Sequence, residues 1–314
     1  MIAAMNSLAQ PLNCDESWIE HYREQGYAVF PRLVLDDVID AHLAIYERTL
    51  KELGLYDRDV LMNLQPHMRQ RYHEAVEKIH WDPNLSLQLC RHPVMHNLTS
   101  RLFGQESVAW EPFTIIWGGG AVPHRDILLY RDPPTEAARF WVALEDIHPE
   151  SGLLYMVPGT QKNAYHHDEL LEEHPEFLEI LRLLARGGAS AGSWNSLMKP
   201  IFDHYHNEAA RIAESHPKHV LNLRKGDAVL FNPGVIHGSL VPGQSNLTRR
   251  SFIMECRSRN CRAYGMRAYF GAKHDFRRPE NAVLCEIAES QWGPYCARIL
   301  KDKMDKFQPI VGFA

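Results

Sequence analysis

The stretch Gly118-Gly119-Gly120-Ala121-Val122-Pro123-His124-Arg125-Asp126-Ile127-Leu128-Leu129-Tyr130 leads a glycine–proline loop into an apolar run, with a histidine and an aspartate at the junction. In extended backbone the side chains of residues i and i+2 project to one face, so the imidazole of His124 and the carboxylate of Asp126 converge on a single point. Two other His-x-Asp pairs occur, His80/Asp82 and His166/Asp168, and a chain with 18 histidines produces such pairs by chance. Asp82 precedes Pro83 and Asp168 opens an acidic helical run, so both read as helix caps. Only His124/Asp126 sits at the edge of an extended apolar segment behind a flexible glycine loop.

Before the loop, residues 108–117 are rich in aromatic and β-branched side chains, as strands are. After it, 127–130, 140–144 and 153–157 are short apolar runs divided by turn-rich segments, the last closed by Pro158-Gly159-Thr160. Strands resume at 220–223 and 228–231, turn at Asn232-Pro233-Gly234, and continue through Val235-Ile236-His237-Gly238-Ser239; 249–257 is the last clear strand. The first hundred residues are mainly helical. A helix over 16–25 is stopped by Gly26 and followed by a strand at 27–30, closed by Pro31. Ile39, Leu43, Tyr46, Leu50 and Leu53 then follow the helical repeat from a cap at Asp36 or Asp37 to a stop at Gly54. Further helices are expected over 69–79 and from the Asp82-Pro83 cap toward Leu102, broken or kinked near Pro93 and stopped by Gly104.

Between the strands, 168–186 is helical by pattern, 187–194 is loop, and 208–214 is one more short helix; one or two helices are expected within 281–304. No repeat, low-complexity tract or linker divides the chain. It reads as a single domain over 1–314, with a helical part to about 105, a β core over about 106–260, an insertion over about 163–215 and a helical extension over 261–314. Many short strands wrapped by helices point to a sandwich or barrel of the jelly-roll kind.

His237 is the distant partner for His124 and Asp126. A lone histidine leaving an apolar strand is usually a core residue, but this one follows a tight turn and opens onto Gly238-Ser239, which leaves space beside the ring. Two histidines and one carboxylate on one side of an octahedral ion leave the opposite face open, the arrangement of non-haem Fe(II) oxygen chemistry. Twelve positions later (249 − 237) come Arg249-Arg250, and a planar guanidinium can grip a carboxylate with two parallel hydrogen bonds.

The net charge of −5 gives no electrostatic reason to expect nucleic acid or an anionic membrane as partner. Six scattered cysteines without a disulfide rhythm fit a reducing compartment, and Cys256 and Cys261 are spaced unlike a zinc knuckle. No signal peptide is visible, and no run reaches the roughly 18 apolar residues that span a membrane. A cytoplasmic protein acting on a small molecule is expected, with its oligomeric state left open.

The ordered set His124-Arg125-Asp126, Trp141, the segment from Glu150-Ser151-Gly152 to Gly159-Thr160-Gln161-Lys162, Lys225-Gly226-Asp227, His237-Gly238-Ser239 and Arg249-Arg250-Ser251 resembles the phytanoyl-CoA dioxygenase family, and 21–29 resembles that family's opening. The resemblance covers roughly residues 16 to 260 and implies a double-stranded β-helix, Fe(II), 2-oxoglutarate as cosubstrate and O2. It further implies that His124, Asp126 and His237 are the iron ligands, that Arg249 binds the distal carboxylate of 2-oxoglutarate, and that Ser239 is a polar neighbour of that site. Trp141 is a candidate for lining the pocket. Phe252, Met254 and Cys256 share a strand face with Arg250, so an apolar-in rule would turn Arg250 inward instead. In a helix-covered barrel the outer face is buried as well and the lumen can be polar, which keeps Arg249 first and Arg250 in reserve.

The carboxylate of Asp126 matters for reaction type. Related halogenases carry a small residue there, so hydroxylation is expected, with desaturation, cyclisation or epoxidation open to the same iron site. Arg125 departs from the glutamine common in the eponymous enzyme and weakens the case for an acyl-CoA substrate. Arg125, Arg131, Arg139 and Lys162 read as surface or salt-bridge residues before they read as contacts to an anionic substrate. The insertion is long enough for a lid, and its His204 and His206 read as solvated loop residues before they read as a second metal pair. Two other classes share these features: a barrel that only binds, and a Zn or Mn enzyme for isomerisation or hydrolysis.

Overall fold

Gly26 ends the first helix in the left-handed conformation, φ 86°, and a Cβ there would meet the Gln161 side-chain oxygen at 2.4 Å. Glycine is needed on both counts. That stop turns helix α1 (Ser17–Gln25) directly into strand β1 (Tyr27–Phe30). The computed structural model describes residues 16–63, 87–90, 92–126, 137–163, 173–177, 191–244, 246–259, 285–288 and 295–299, with single residues at 68, 72, 75 and 79. Helices α2 (Asp36–Glu52), α3 (Arg58–Met62), α4 (Leu87–Cys90) and α5 (Pro93–Phe103) follow β1, then strands β2 (Ser107–Ile115), β3 (Ala137–Ala143) and β4 (Leu154–Val157). Helix α6 (Ala191–Ser215) precedes β5 (His219–Val220), β6 (Ala228–Phe231), β7 (Ile236–Ser239), β8 (Ser251–Ser258), β9 (Cys285–Ala288) and β10 (Tyr295–Ile299).

The strands form two sheets that are mostly antiparallel. The larger has the order β1-β6-β3-β8-β2-β10-β9 and the smaller β5-β4-β7; the one parallel pair is β10 with β2. Alternation along the strands gives each sheet two buried faces. On the larger sheet Phe140, Val142, Leu230, Phe252 and Met254 pack under Trp18, Ile39, Leu89, Met95 and Leu98 of the helices. On its other face Tyr27, Trp141, Val229 and Phe231 share a core with Leu154 and Met156 of the smaller sheet. The lumen between the sheets therefore receives Arg139, Trp141 and Glu255, while the even-numbered apolar residues of β3 and β8 serve the helical layer.

Several expectations change at this level. Asp36 and Asp37 lie in the first turn of α2 behind an N-cap at Leu35 that makes no side-chain cap bond; Asp37 accepts from Val38 N–H at 2.9 Å, and both charges complement the helix end. The expected break near Pro93 falls between α4 and α5, with Pro93 at the first turn of α5 and Gly104 as its left-handed stop. Residues 191–194, read as loop, and 208–214, read as a short separate helix, belong to the single 25-residue helix α6, which runs through Pro200. The extension beyond 261 was expected to be helical, yet its described residues are β9 and β10, whose partner β2 supplies a ladder the local sequence does not advertise. The last core strand begins at Ser251, so Arg249 and Arg250 precede it. The readings at 82–83, 127–130 and 164–170, and most of those at 69–79 and 168–186, lie outside the described residues.

Phe140 has no exposed surface and joins β3 to the helical layer. Replacing it with alanine should lower unfolding free energy by about 3–5 kcal/mol, read from a urea transition. A loss below about 1 kcal/mol would show that the two layers do not depend on each other there.

Candidate metal centre

The triple-glycine loop returns along β7 as an irregular extended segment. Gly120 N–H donates to Leu240 O at 2.9 Å and Ser239 N–H to Ala121 O at 3.1 Å. His124 and His237 then bond to each other in both directions, 2.9 and 3.0 Å, as an isolated antiparallel bridge. Directly opposed residues of such a pair put their side chains on the same face, and the two imidazole centroids stand 4.3 Å apart.

Both rings are oriented by carbonyls of their own strands. His124 Nδ1 lies 2.8 Å from Val122 O and His237 Nδ1 3.1 Å from Val235 O. A carbonyl can only accept, so each Nδ1 carries the proton and each Nε2 presents its lone pair. The carboxylate of Asp126 faces both, with Oδ1 3.7 Å from His124 Nε2 and Oδ2 3.5 Å from His237 Nε2. With a lone pair on each Nε2 and none but acceptors on the carboxylate, these contacts are not hydrogen bonds and suit atoms that share one ion, since two ligands about 2.1 Å from a metal at right angles stand about 3 Å apart. Among the described residues this is the one group of three such side chains whose ligand atoms lie within 4.8 Å of one another.

Electrostatics gives the set the protonation a metal requires. Burial alone raises the pKa of Asp126, but Arg139, His237 and His124 outweigh it and hold the carboxyl below its usual value. Burial lowers His237 to about 4, with His124 and Arg139 acting the same way against the opposing pull of Asp126 and the Val235 carbonyl. An anionic Asp126 and a neutral His237 result, and the side chain of His124, 28% exposed, opens the site to solvent.

Arg139 Nη1 sits 3.3 Å from Asp126 Oδ2 and its Nη2 donates to Glu255 at 2.8 Å, while Arg257 pairs with the other Glu255 oxygen and stacks over Trp110. All four charged groups are buried. Arg139 is thus a salt-bridge residue, as the sequence reading preferred, though a buried one. Glu255 was missed; its sequence signal was the i+2 spacing of Glu255 and Arg257 on the strand face opposite Met254 and Cys256.

Arg249 is buried at 6% exposure over the Trp141 ring, 5.9 Å from its centroid, and Nη1 donates to Gly152 O at 3.1 Å. Its Nε has no partner, and no carboxylate pairs with it among the described residues. Burial lowers its pKa to about 10. Gly118 makes the space, since a Cβ there would stand 2.6 Å from Arg249 Nη2. Arg250 points the other way, to Glu47 at 2.9 Å, Glu145 at 2.7 Å and Tyr56 at 3.2 Å. Its charge already has two carboxylate partners. Ser239 Oγ accepts from Ala121 N–H at 2.8 Å and clamps the loop onto β7.

Three further candidates find other partners. Arg125 is buried against Glu208 of α6, and exposed Lys162 pairs with Glu24. His204 and His206, two positions apart on a helix, do not face each other; His204 instead packs against His174, with ring centroids 4.1 Å apart. Arg131 lies outside the described residues.

Comparison with known proteins agrees with this geometry. The sequence model of the family described as phytanoyl-CoA dioxygenase (PhyH) matches residues 22–250. Phytanoyl-CoA dioxygenase 1 of Oryza sativa subsp. japonica is 46% identical over 48 residues, 15% of this chain and only 17% of that relative's length. Among solved structures, SnoK, a non-haem α-ketoglutarate-dependent carbocyclase from nogalamycin biosynthesis, superposes with TM-score 0.50 at 16% identity over 79% of this chain and 86% of its own. The non-haem monooxygenase ThoJ gives TM-score 0.50 at 16% identity over 79% of each chain. At such identities these structures speak for the fold. The family match, over most of the chain, defines the class. The chain belongs to the phytanoyl-CoA dioxygenase family.

Replacing Arg250 with alanine should destabilise the fold by about 1–3 kcal/mol, less than a fully buried pair would cost because water reaches the guanidinium. Thermal unfolding with and without 2-oxoglutarate checks this. Retention of the ligand-induced stabilisation is expected, and its loss would assign the carboxylate-binding role to Arg250.

Proposed function

We propose that this chain is a dioxygenase that hydroxylates a small-molecule metabolite at the expense of 2-oxoglutarate, with the two sheets closed as a double-stranded β-helix. In this reading His124, Asp126 and His237 hold Fe(II). Arg249, with Trp141 beneath it and Ser239 holding the neighbouring loop, receives the distal carboxylate of 2-oxoglutarate. The observation that carries the proposal is that one lumen contains both a ligand set in the right protonation state and a buried guanidinium lacking a carboxylate partner.

Bound iron and 2-oxoglutarate supply oxidation of a C–H bond by O2, with succinate and CO2 released. The protein's own contribution is geometry and charge. The carbonyls of Val122 and Val235 fix the imidazole faces, and Arg139 keeps Asp126 ionised where burial would protonate it. Gly118 lets the loop pack against the Arg249 guanidinium, which has no carboxylate partner among the described residues and so offers a cosubstrate carboxylate its counter-charge. Asp126 occupies the position a halide would need, which supports hydroxylation over halogenation. Val122 and Val241, 59% and 84% exposed, flank the two paired segments and give the entrance an apolar edge suited to a substrate with a hydrophobic body. Buried thiols at Cys90 and Cys256 support a reducing, cytoplasmic setting.

Anaerobic addition of Fe(II) and 2-oxoglutarate should produce the weak visible charge-transfer band of the chelate, which a binding-only barrel or a hydrolytic metalloenzyme would lack. His124→Ala should lose iron and all succinate release; normal iron content with turnover would overturn the ligand assignment. Arg249→Ala should keep iron but raise the 2-oxoglutarate requirement by about 10- to 100-fold, the loss of a buried charge-assisted contact. An unchanged requirement would remove Arg249 from the cosubstrate site. Product mass from a substrate screen then separates a gained oxygen atom from the two lost hydrogens of desaturation or cyclisation.

A further inference from the structure

Resting on that reading of the ligands, we propose that Arg125 is a positioning residue for the metal centre and that helix α6 acts on the ligands through it. Arg125 stands between His124 and Asp126, so alternation sends its side chain to the opposite face of the segment, where it is 3% exposed. Four residues from three pieces of chain meet on its guanidinium. Glu208 of α6 lies 3.3 Å from Nη1, Gly234 O accepts from Nε at 3.1 Å, and Thr160 O and Asn163 O accept from Nη2 at 3.5 and 3.3 Å. Gly234 belongs to the turn that delivers His237, so one cation ties together the segments that carry all three ligands.

Helix α6 is itself firmly seated. Ala209 and Ala213 pack on Tyr155, Val157 and Ile236, the outer face of the small sheet whose inner face carries His237. Glu208 is the only carboxylate paired with Arg125 among the described residues. Without it the guanidinium keeps carbonyl partners but no counter-charge, and a buried cation in that state draws toward water. The backbone it would pull is its own, the single residue between His124 and Asp126.

The test uses the full-length apo protein, with Co(II) alone as probe, followed by its d–d absorption and by hydrogen exchange in α6. Glu208→Gln keeps shape and removes charge. It should weaken Co(II) binding by roughly tenfold, the low end for residues that orient a ligand, while exposed Glu214→Gln leaves binding unchanged. Co(II) should slow exchange over 201–215 in the native protein and fail to do so in Glu208→Gln, because coupling between two sites is reciprocal. The double variant Arg125→Gln/Glu208→Gln, which leaves no unpaired charge, should bind Co(II) more tightly than Glu208→Gln alone. If Glu208→Gln does not fold, Glu208→Asp, which retains the charge, should bind Co(II) within threefold of the native protein; a tenfold loss there would overturn the proposal. Equal affinity in the native and Glu208→Gln proteins, with no protection of α6, would also overturn it and leave the ligand assignment standing. Native protein whose Co(II) binding is indifferent to His124→Ala would overturn the ligand assignment beneath it.

Discussion

The two-way backbone pairing of His124 with His237 is the contact on which the site depends. Two hydrogen bonds of about 1 kcal/mol net each cannot by themselves hold together residues so distant in sequence. They hold because each side is fixed independently. His237 lies opposite Met156 in the small sheet, and the 120–124 segment is pinned to β7 by Gly120, Ala121 and the Ser239 hydroxyl. The same pairing turns both rings to one face, and local carbonyls fix their tautomers. Asp126, two residues on, needs no separate mechanism to arrive.

A cluster of charges in the lumen is tolerated because the largest hydrophobic core lies on the other face of the large sheet. The large sheet buries Phe140, Phe252 and Met254 beneath helices on its outside, so its inside is free to carry Arg139, Glu255 and Arg257. A buried ion pair seldom stabilises a fold more than a hydrophobic replacement would. Here the pairing has a chemical consequence instead: without Arg139, burial would push Asp126 toward its neutral form and weaken it as a ligand. The chain of charges from Asp126 to Arg257 is best understood as the means of keeping one carboxylate ionised out of water.

Much of this was legible from residues alone, and the failures have physical causes. The i, i+2 spacing of His124 and Asp126 and the turn before His237 encode local geometry, so they could be read directly. Alternation in β8 alone does not choose between Arg249 and Arg250, because the helices early in the chain cover the outer face of the large sheet and bury it as well. Helix α6 was read in pieces because glycine and serine at its start and Pro200 inside it argue against one helix locally; packing of Ile201, Tyr205 and Ala209 at 3% exposure or less overrides that preference. Strands β9 and β10 were read as helix because their stability comes from β2, far away in sequence. Glu208 was invisible for the same reason: nothing near it in the chain announces that its partner lies between two ligands.

Alternation explains what composition cannot, the separate fates of four arginines. Arg139 points into the lumen with Trp141 and meets a carboxylate on each side. Arg249 and Arg250 are adjacent, so one enters the lumen without a carboxylate partner and the other leaves it to meet Glu47 and Glu145. Arg125 lies between two inward residues and must leave, and α6 meets it with Glu208. In each neutralised case the fold brings an acid to the buried cation, as the cost of desolvation demands. Arg249 is the exception within the lumen, a buried guanidinium packed against Gly118 with no carboxylate beside it among the described residues.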